Sequence, residues 1–199
     1  MSASRSGRTS RRGSRGQGLI EFALVAPLLI GLAFGIFDFG RGMSANITVT
    51  NSSREGARYL ATQASTLASP YGTTCPTGTT APSSPSAQSK AWNQMLGANL
   101  DLSKVTVLTV YFYKSSNDPS NDSNHTAYDK MVSCNVSGGA FSGGYTLTNG
   151  SNTGDSTYVP QTGDWGQFRV QYQYTTATPI IHTLVPTITV DQTTTMVLE

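Results

Sequence analysis

The sequence predicts an α+β protein: a long N-terminal membrane-spanning helix followed by a small antiparallel β-sheet with long polar loops. Three observations lead there. An uncharged apolar run from Phe22 to Phe37 follows an arginine-rich leader, and its hydrophobic residues surround a helix on all sides instead of forming one stripe. No proline interrupts Gly40 to Ala64, where Ile47, Thr50, Ala57, Leu60 and Ala61 recur at about three- and four-residue intervals, so the helix is expected to run from about residue 18 to 66. Farther on, Phe168-Arg-Val170-Gln-Tyr172-Gln-Tyr174 alternates apolar with polar residues, the pattern of a strand with one wet face in an antiparallel sheet.

A chain of 199 residues is long enough for one ordinary domain plus an appendage, and too short for a multidomain enzyme. Only 12% of residues are charged, against roughly 25% in typical soluble domains. Serine and threonine supply 51 positions instead and keep the surface wet. The net charge of +2 hides an asymmetry, because five of the thirteen basic residues (Arg5, Arg8, Arg11, Arg12, Arg15) fall in the first sixteen positions, where no acid occurs. The basic part is a tail, which argues against a nucleic-acid-binding body.

The sixteen residues from Phe22 to Phe37 cover about 24 Å as helix, short of the ~30 Å hydrocarbon core unless the flanking turns with Glu21 and Asp38 are drawn in. A buried helix of a soluble protein would show a single apolar stripe. A cleaved secretory signal would need a small-x-small site where Asp38, Arg41 and Met43 stand, and a twin-arginine signal would need apolar residues where Gly13-Ser14-Arg15 come after Arg11-Arg12. A retained single-pass helix with the arginines on the cytoplasmic side fits better, with everything after residue 41 extracytoplasmic.

Glu21 is the anomaly in this segment, because an ionised acid at the edge of hydrocarbon costs several kcal/mol unless paired or neutralised. The acid is the fifth residue of a chain that would begin at Gln17, directly after Gly16 closes the basic leader. The string Gly16-Gln17-Gly-Leu-Ile-Glu21-Phe22 resembles the cleavage motif of type IV prepilins of the Flp/Tad branch. Beyond Phe22 an aliphatic helix leads into Phe39-Gly40-Arg41 and then Asn51-x-x-Arg54-Glu55-Gly56-Ala57-Arg58-Tyr59, a succession that resembles the TadE-like family of tight-adherence pilus assembly proteins. The resemblance is strong over residues 15 to 61 and fainter at GDW…FRVQYQY and the final TTTMVLE. It implies cleavage between Gly16 and Gln17 by a membrane-embedded aspartyl prepilin peptidase, and partners among the lipid bilayer, other Tad/Flp pilins and the inner-membrane assembly platform. Gln17 is a departure, since many pilins begin with Met, Phe or Ala.

Cleavage would expose an α-amine of pKa near 8, about one helical turn from Glu21 or within reach of it from a neighbouring subunit. In a filament the intersubunit pair would fix axial register, because an unpaired charge in a helical core is expensive. The plainer reading is that Glu21 reaches back to the headgroups.

Farther along, Pro27 removes one helical hydrogen bond, so a modest kink is expected. Glu55 and Arg58 share a helix face and stabilise each other by a few tenths of a kcal/mol. Residues 69–89 have linker composition, with four prolines and many serines and threonines. A short helix is expected from Lys90 to Leu100, with Trp92, Met95 and Leu96 on one side. Val105 to Tyr113 reads as a mid-sheet strand, β-branched and aromatic on both faces. A last strand is expected from about Pro186 to Leu198, with a bulge near Asp191 to Thr194 because Ile188 and Val190 fall on even positions and Val197 on an odd one. Ser115–Tyr128 and Ser137–Gly163 read as polar loops, with Gly138-Gly139 and Gly143-Gly144 as loop glycines and a short strand near Cys134. The sheet is expected to lie against the outer half of the helix.

The chain thus divides into a basic leader (1–16), the transmembrane helix with its extension (17–66), a linker (67–89) and an extracytoplasmic α+β domain (90–199). Cys75 and Cys134 would face an oxidising exterior, where a disulfide between them would close a long loop, with two free buried thiols as the alternative. His125 and His182 are isolated, so no metal or other cofactor is expected. No phosphate loop or Ser/His/Asp grouping appears, so neither catalysis nor a small-molecule substrate is expected. The expected function is a membrane-anchored minor pilin or pseudopilin. An uncleaved envelope protein that binds an extracellular partner or surface is the alternative.

Overall fold

The computed structural model describes residues 14–63, 75, 85–137, 140–149 and 158–199. The leader before Ser14, most of the expected linker and part of the Ser137–Gly163 segment lie outside the described residues.

Helix α1 spans Ser14–Gln63, which takes in the expected start near residue 18; the expected end near residue 66 lies outside the described residues. At 1.5 Å per residue its 50 residues extend about 75 Å, with Pro27 inside. Its two halves differ. From Gly16 to Phe37 every residue is exposed except the half-buried Ala26 and Gly35. From Asp38 onward one stripe turns inward, through Ala45, Val49, Ser52, Ser53, Gly56, Ala57 and Leu60. Ile47, expected on that stripe, is instead 56% exposed.

Helix α2, Ala87–Gly97, starts within the stretch read as linker, where the expected start was Lys90. The serines that gave this stretch its linker composition cap the helix: Ser89 N–H donates to Ser86 Oγ at 3.1 Å, and Ser86 N–H donates to Ser89 Oγ at 2.8 Å. Trp92 and Met95 are buried against the core as expected, whereas Leu96 points outward.

The sheet has five strands in the order β3-β2-β1-β4-β5, every neighbour antiparallel. They are β1 Val105–Tyr113, β2 Lys130–Ser137, β3 Ala140–Asn149, β4 Trp165–Thr175 and β5 Thr187–Val197. A short helix, α3 (Pro179–Leu184), joins β4 to β5. Strand β1 lies at the centre, which accounts for its β-branched and aromatic residues on both faces. Leu108, Val110 and Phe112 point to the helix layer, while Tyr111 and Tyr113 lie under the 114–129 loop, where Tyr111 stacks on His125 at 4.8 Å between ring centroids.

Two expectations are corrected. Ala140–Asn149, with Gly143 and Gly144 inside it, is an edge strand and not a loop; its Ser/Gly/Thr content hides the alternation that would have marked it. Strand β5 pairs with β4 from Trp165↔Val197 to Thr175↔Thr187 without a shift, so it has no bulge. Val190, Met196 and Leu198 hold the inward phase, and Val197 is a single outward valine, 43% exposed, which a strand tolerates.

Small side chains let α1 sit close on β4. A Cβ at Gly56 would stand 2.8 Å from the ring of Phe168, and one at Gly166 would stand 2.8 Å from Leu198 Cδ2. Ser53 and Thr194 hydroxyls meet at 2.8 Å, and Gln192 Nε2 donates to Asn46 Oδ1 at 3.1 Å, so polar bonds hold β5 to the same helix.

Candidate site for membrane anchoring and assembly

The residues singled out by the sequence fall into three places on α1. Gly16, Gln17, Glu21 and Phe22 occupy its first turns, all exposed, with Gln17 Nε2 donating to Glu21 Oε1 at 3.4 Å across one turn. The geometry brings no basic group of this chain to the Glu21 carboxylate among the described residues.

Phe39, Gly40 and Arg41 come after the apolar run. Phe39 is 71% exposed, Gly40 faces open space, and the Arg41 guanidinium lies 5.8 Å over the Phe37 ring. Asp38, read from the sequence only as a flank of the span, is the residue that joins helix to sheet here. Buried at 4% exposure, its carboxylate accepts the backbone N–H groups of Ala177 and Thr178, each at 3.1 Å, and its carbonyl accepts from the Tyr174 hydroxyl at 3.1 Å. The chain leaving β4 is thereby tied to α1 where the exposed apolar segment ends. A lone acid at the end of a greasy run is visible in the sequence, but the amides that claim it lie about 140 residues away.

The Arg54–Tyr59 segment divides by helix face. Gly56 and Ala57 point inward, where Gly56 makes room for Phe168. Glu55 and Arg58 point outward and form a two-bonded ion pair, Arg58 Nε to Glu55 Oε2 at 3.1 Å and Nη2 to Oε1 at 3.0 Å. Asn51 and Arg54 are exposed. The Tyr59 hydroxyl donates to the Pro85 carbonyl at 3.3 Å, and Lys90 of α2 lies 5.8 Å over its ring. These residues assemble the domain on its helix.

Cys75 and Cys134 form a disulfide with Cα atoms 5.5 Å apart, tying the stretch after α1 to β2. Above β1, Tyr113 donates toward Asp122 and Gln167, each at 3.2 Å, and Tyr158 donates to Asp164 at 2.7 Å. Burial, then the neighbouring carboxylates, push both tyrosine pKa values up, so these phenols stay protonated as hydrogen-bond donors. Burial alone would raise Asp122, yet the amides of Thr126 and Ala127 and the Tyr113 hydroxyl outweigh it and hold the carboxyl below its usual range. Among the described residues no group of three or more His, Cys, Asp or Glu side chains converges to hold a metal ion.

One helix among the described residues is long and apolar enough to cross a membrane, its most apolar stretch having mean hydropathy 2.3 with none of it buried. A helix of that kind, continuous with the spine of a small α+β domain, is the architecture of a single-pass membrane-anchored protein. Residues 16–58 match the family model of the TadE-like proteins. The match runs from the first glycine of the cleavage-like motif to Arg58 and points to Tad pilus assembly, to contact with other pilus components and the membrane, and to a family that is not one of enzymes. No curated protein and no solved structure matches the chain.

Proposed function

We propose that this chain is a minor pilin or pseudopilin of a Tad/Flp surface pilus, inserted by α1 with its N-terminus cytoplasmic and its α+β domain extracytoplasmic. A prepilin peptidase then cuts it between Gly16 and Gln17, before it joins other pilins at the inner-membrane assembly platform. The observation that supports this most is the bare apolar half of α1 directly behind the Gly16-x-x-x-x-Glu21-Phe22 motif, inside the segment that matches the TadE-like family. A surface that apolar on every side needs either lipid or the packed helices of a fibre.

Cutting after Gly16 frees an amine one helical turn from Glu21, near enough to replace the weak 3.4 Å bond from Gln17 by an ion pair, or to leave Glu21 for the amine of the next subunit. Either pairing removes the cost of an unpaired acid at the edge of hydrocarbon. Mass spectrometry of the N-terminus, on protein purified from a cell that carries the pilus system, tests the reading. A mature chain beginning at Gln17 is expected; an intact arginine-rich leader supports an uncleaved envelope protein instead.

A further inference from the structure

We infer that α3 and the first residues of β5 form a second membrane-contacting element, which beds in the outer leaflet beside α1 and fixes the height and tilt of the domain on the bilayer. This rests on the reading that α1 crosses the membrane. Three observations fit lipid as the occupant of this patch.

The first is depth. The stretch from Leu19 to Phe39, uncharged from Phe22 to Phe37 and with Glu21 and Asp38 drawn in at its two edges, is 21 residues long, about 31 Å of helix, which matches the ~30 Å hydrocarbon core. Ile181 of α3 lies 4.0 Å from where a Cβ at Gly35 would be, so α3 sits beside α1 four residues short of the end of that run. Four residues are about 6 Å, within the roughly 5–10 Å to which interfacial helices enter a bilayer.

The second is surface chemistry. From Thr175 to Val190 the chain carries no Lys, Arg, Asp or Glu. Leu184 is 79% exposed, and Val185 and Ile188 are each 45% exposed, all on the segment that meets the exposed apolar band of α1. A cleft of about 610 Å³ opens between that band (Gly35, Phe39, Met43) and Ile181, Val185 and Ile188, with Asn46, Asp191 and Gln192 also on its wall.

The third is the backbone, which at bilayer depth must find its hydrogen bonds within the protein. Asp38 takes the amides of Ala177 and Thr178. Pro179 and Pro186 have no N–H. His182 N–H donates to the Thr178 carbonyl at 2.8 Å and Val185 N–H to the Ile181 carbonyl at 2.7 Å. The Val185 carbonyl accepts from the Thr176 hydroxyl at 3.1 Å, and the Pro179 carbonyl from Thr183 at 2.9 Å.

Because the chain's two cysteines are bonded to each other, a single introduced cysteine can be labelled alone. The full chain is reconstituted in vesicles of phosphatidylethanolamine and phosphatidylglycerol. An environment-sensitive fluorophore is placed at Leu184→Cys, Thr187→Cys, Leu29→Cys or Thr162→Cys, and lipids bearing nitroxides at shallow or deep acyl positions are added. Expected are blue-shifted emission and strong quenching at 184 and 187, more from the shallow nitroxide; stronger quenching by the deep nitroxide at 29; and none at 162, which lies at the opposite end of β4 from α3. Quenching at 29 without quenching at 184 and 187 overturns this inference and leaves membrane anchoring intact. Blue-shifted emission at 184 that nitroxide lipids do not quench also overturns it, and points to a protein partner. Quenching at 162 as well means that the domain lies flat on the membrane, which refutes the placement. No quenching at 29 refutes the anchoring itself.

Discussion

Gly56→Ala tests whether the Arg54–Tyr59 segment is there to seat the domain on its helix. In an isolated helix, alanine would be about 1 kcal/mol better than glycine. Here the new Cβ would stand 2.8 Å from two Phe168 ring carbons and 2.9 Å from a third, well inside the 3.5–4.0 Å at which carbons pack best. Phe168 is fully buried, with Val110 opposite it on β1 and Thr194 opposite it on β5, so the ring cannot swing away without moving the sheet. Overpacking of this kind costs about 1–3 kcal/mol. The two effects nearly offset, and the single substitution is expected to lose between about 0 and 2 kcal/mol. The double-mutant cycle with Phe168→Leu separates them. With the ring gone, Gly56→Ala regains its helical advantage, giving a coupling of about 1–3 kcal/mol between the positions. Denaturant unfolding of the full chain in detergent micelles measures it, because both tryptophans, Trp92 and Trp165, lie in the domain and report its unfolding and not that of the span. If the two substitutions simply add, within about 0.5 kcal/mol, the close approach at Gly56 is not what the segment provides.

The disulfide and one ion pair yield two more expected outcomes. Replacing Cys75 and Cys134 by alanine removes a cross-link spanning 59 residues, for which the chain-entropy argument gives a loss of about 4 kcal/mol in the same unfolding assay; a loss under about 1 kcal/mol would show that the stretch after α1 is held by other contacts. The second concerns pH. The Arg169 guanidinium, with its Nε 3.0 Å from Asp191, holds that carboxyl below its ordinary range. A pKa lower in the folded than in the unfolded chain contributes stability that is whole above the unfolded value of about 3.9 and lost as pH falls through the folded one. Both side chains are partly exposed, so the pair contributes no more than about 1 kcal/mol. The stability gap between wild type and Asp191→Asn is therefore expected to stay flat from pH 7 to about 5 and close below about 4 in urea titrations; a gap that persisted at about pH 2 would contradict the assignment.

Where burial keeps to a period, the sequence revealed the fold. The alternation of Phe168 to Tyr174 marked β4, and the aromatic and β-branched run of Val105–Tyr113 marked the central strand with its correct limits. Segments whose role depends on distant partners did not show locally. Ala140–Asn149 carries glycine and serine where strands usually carry branched residues, and becomes a strand by pairing with β2. Ser86 and Ser89 count as linker residues until each caps the other. The inward stripe of α1 is built largely from Gly, Ala and Ser, so its apolar periodicity points to Ile47, which faces outward, and not to Ser52 and Ser53, which are buried. At the candidate site the motif residues were legible as a resemblance, but their division into an inward Gly56-Ala57 pair and an outward Glu55–Arg58 ion pair needed the helix to be seen against its sheet. Asp38 shows the same limit most plainly, because its amide partners belong to a connection with no sequence signal of its own.

The central claim is that one continuous helix stands in lipid over its first half and carries a folded domain outside the cytoplasm over its second. Protease added to intact spheroplasts, with subsequent detection of the chain's C-terminal end, tests this most directly. Loss of the domain without lysis, together with a short protected N-terminal fragment that stays with the membrane, is the predicted result. A chain that survives until the cells are opened, or that washes off the membrane at alkaline pH, would contradict it.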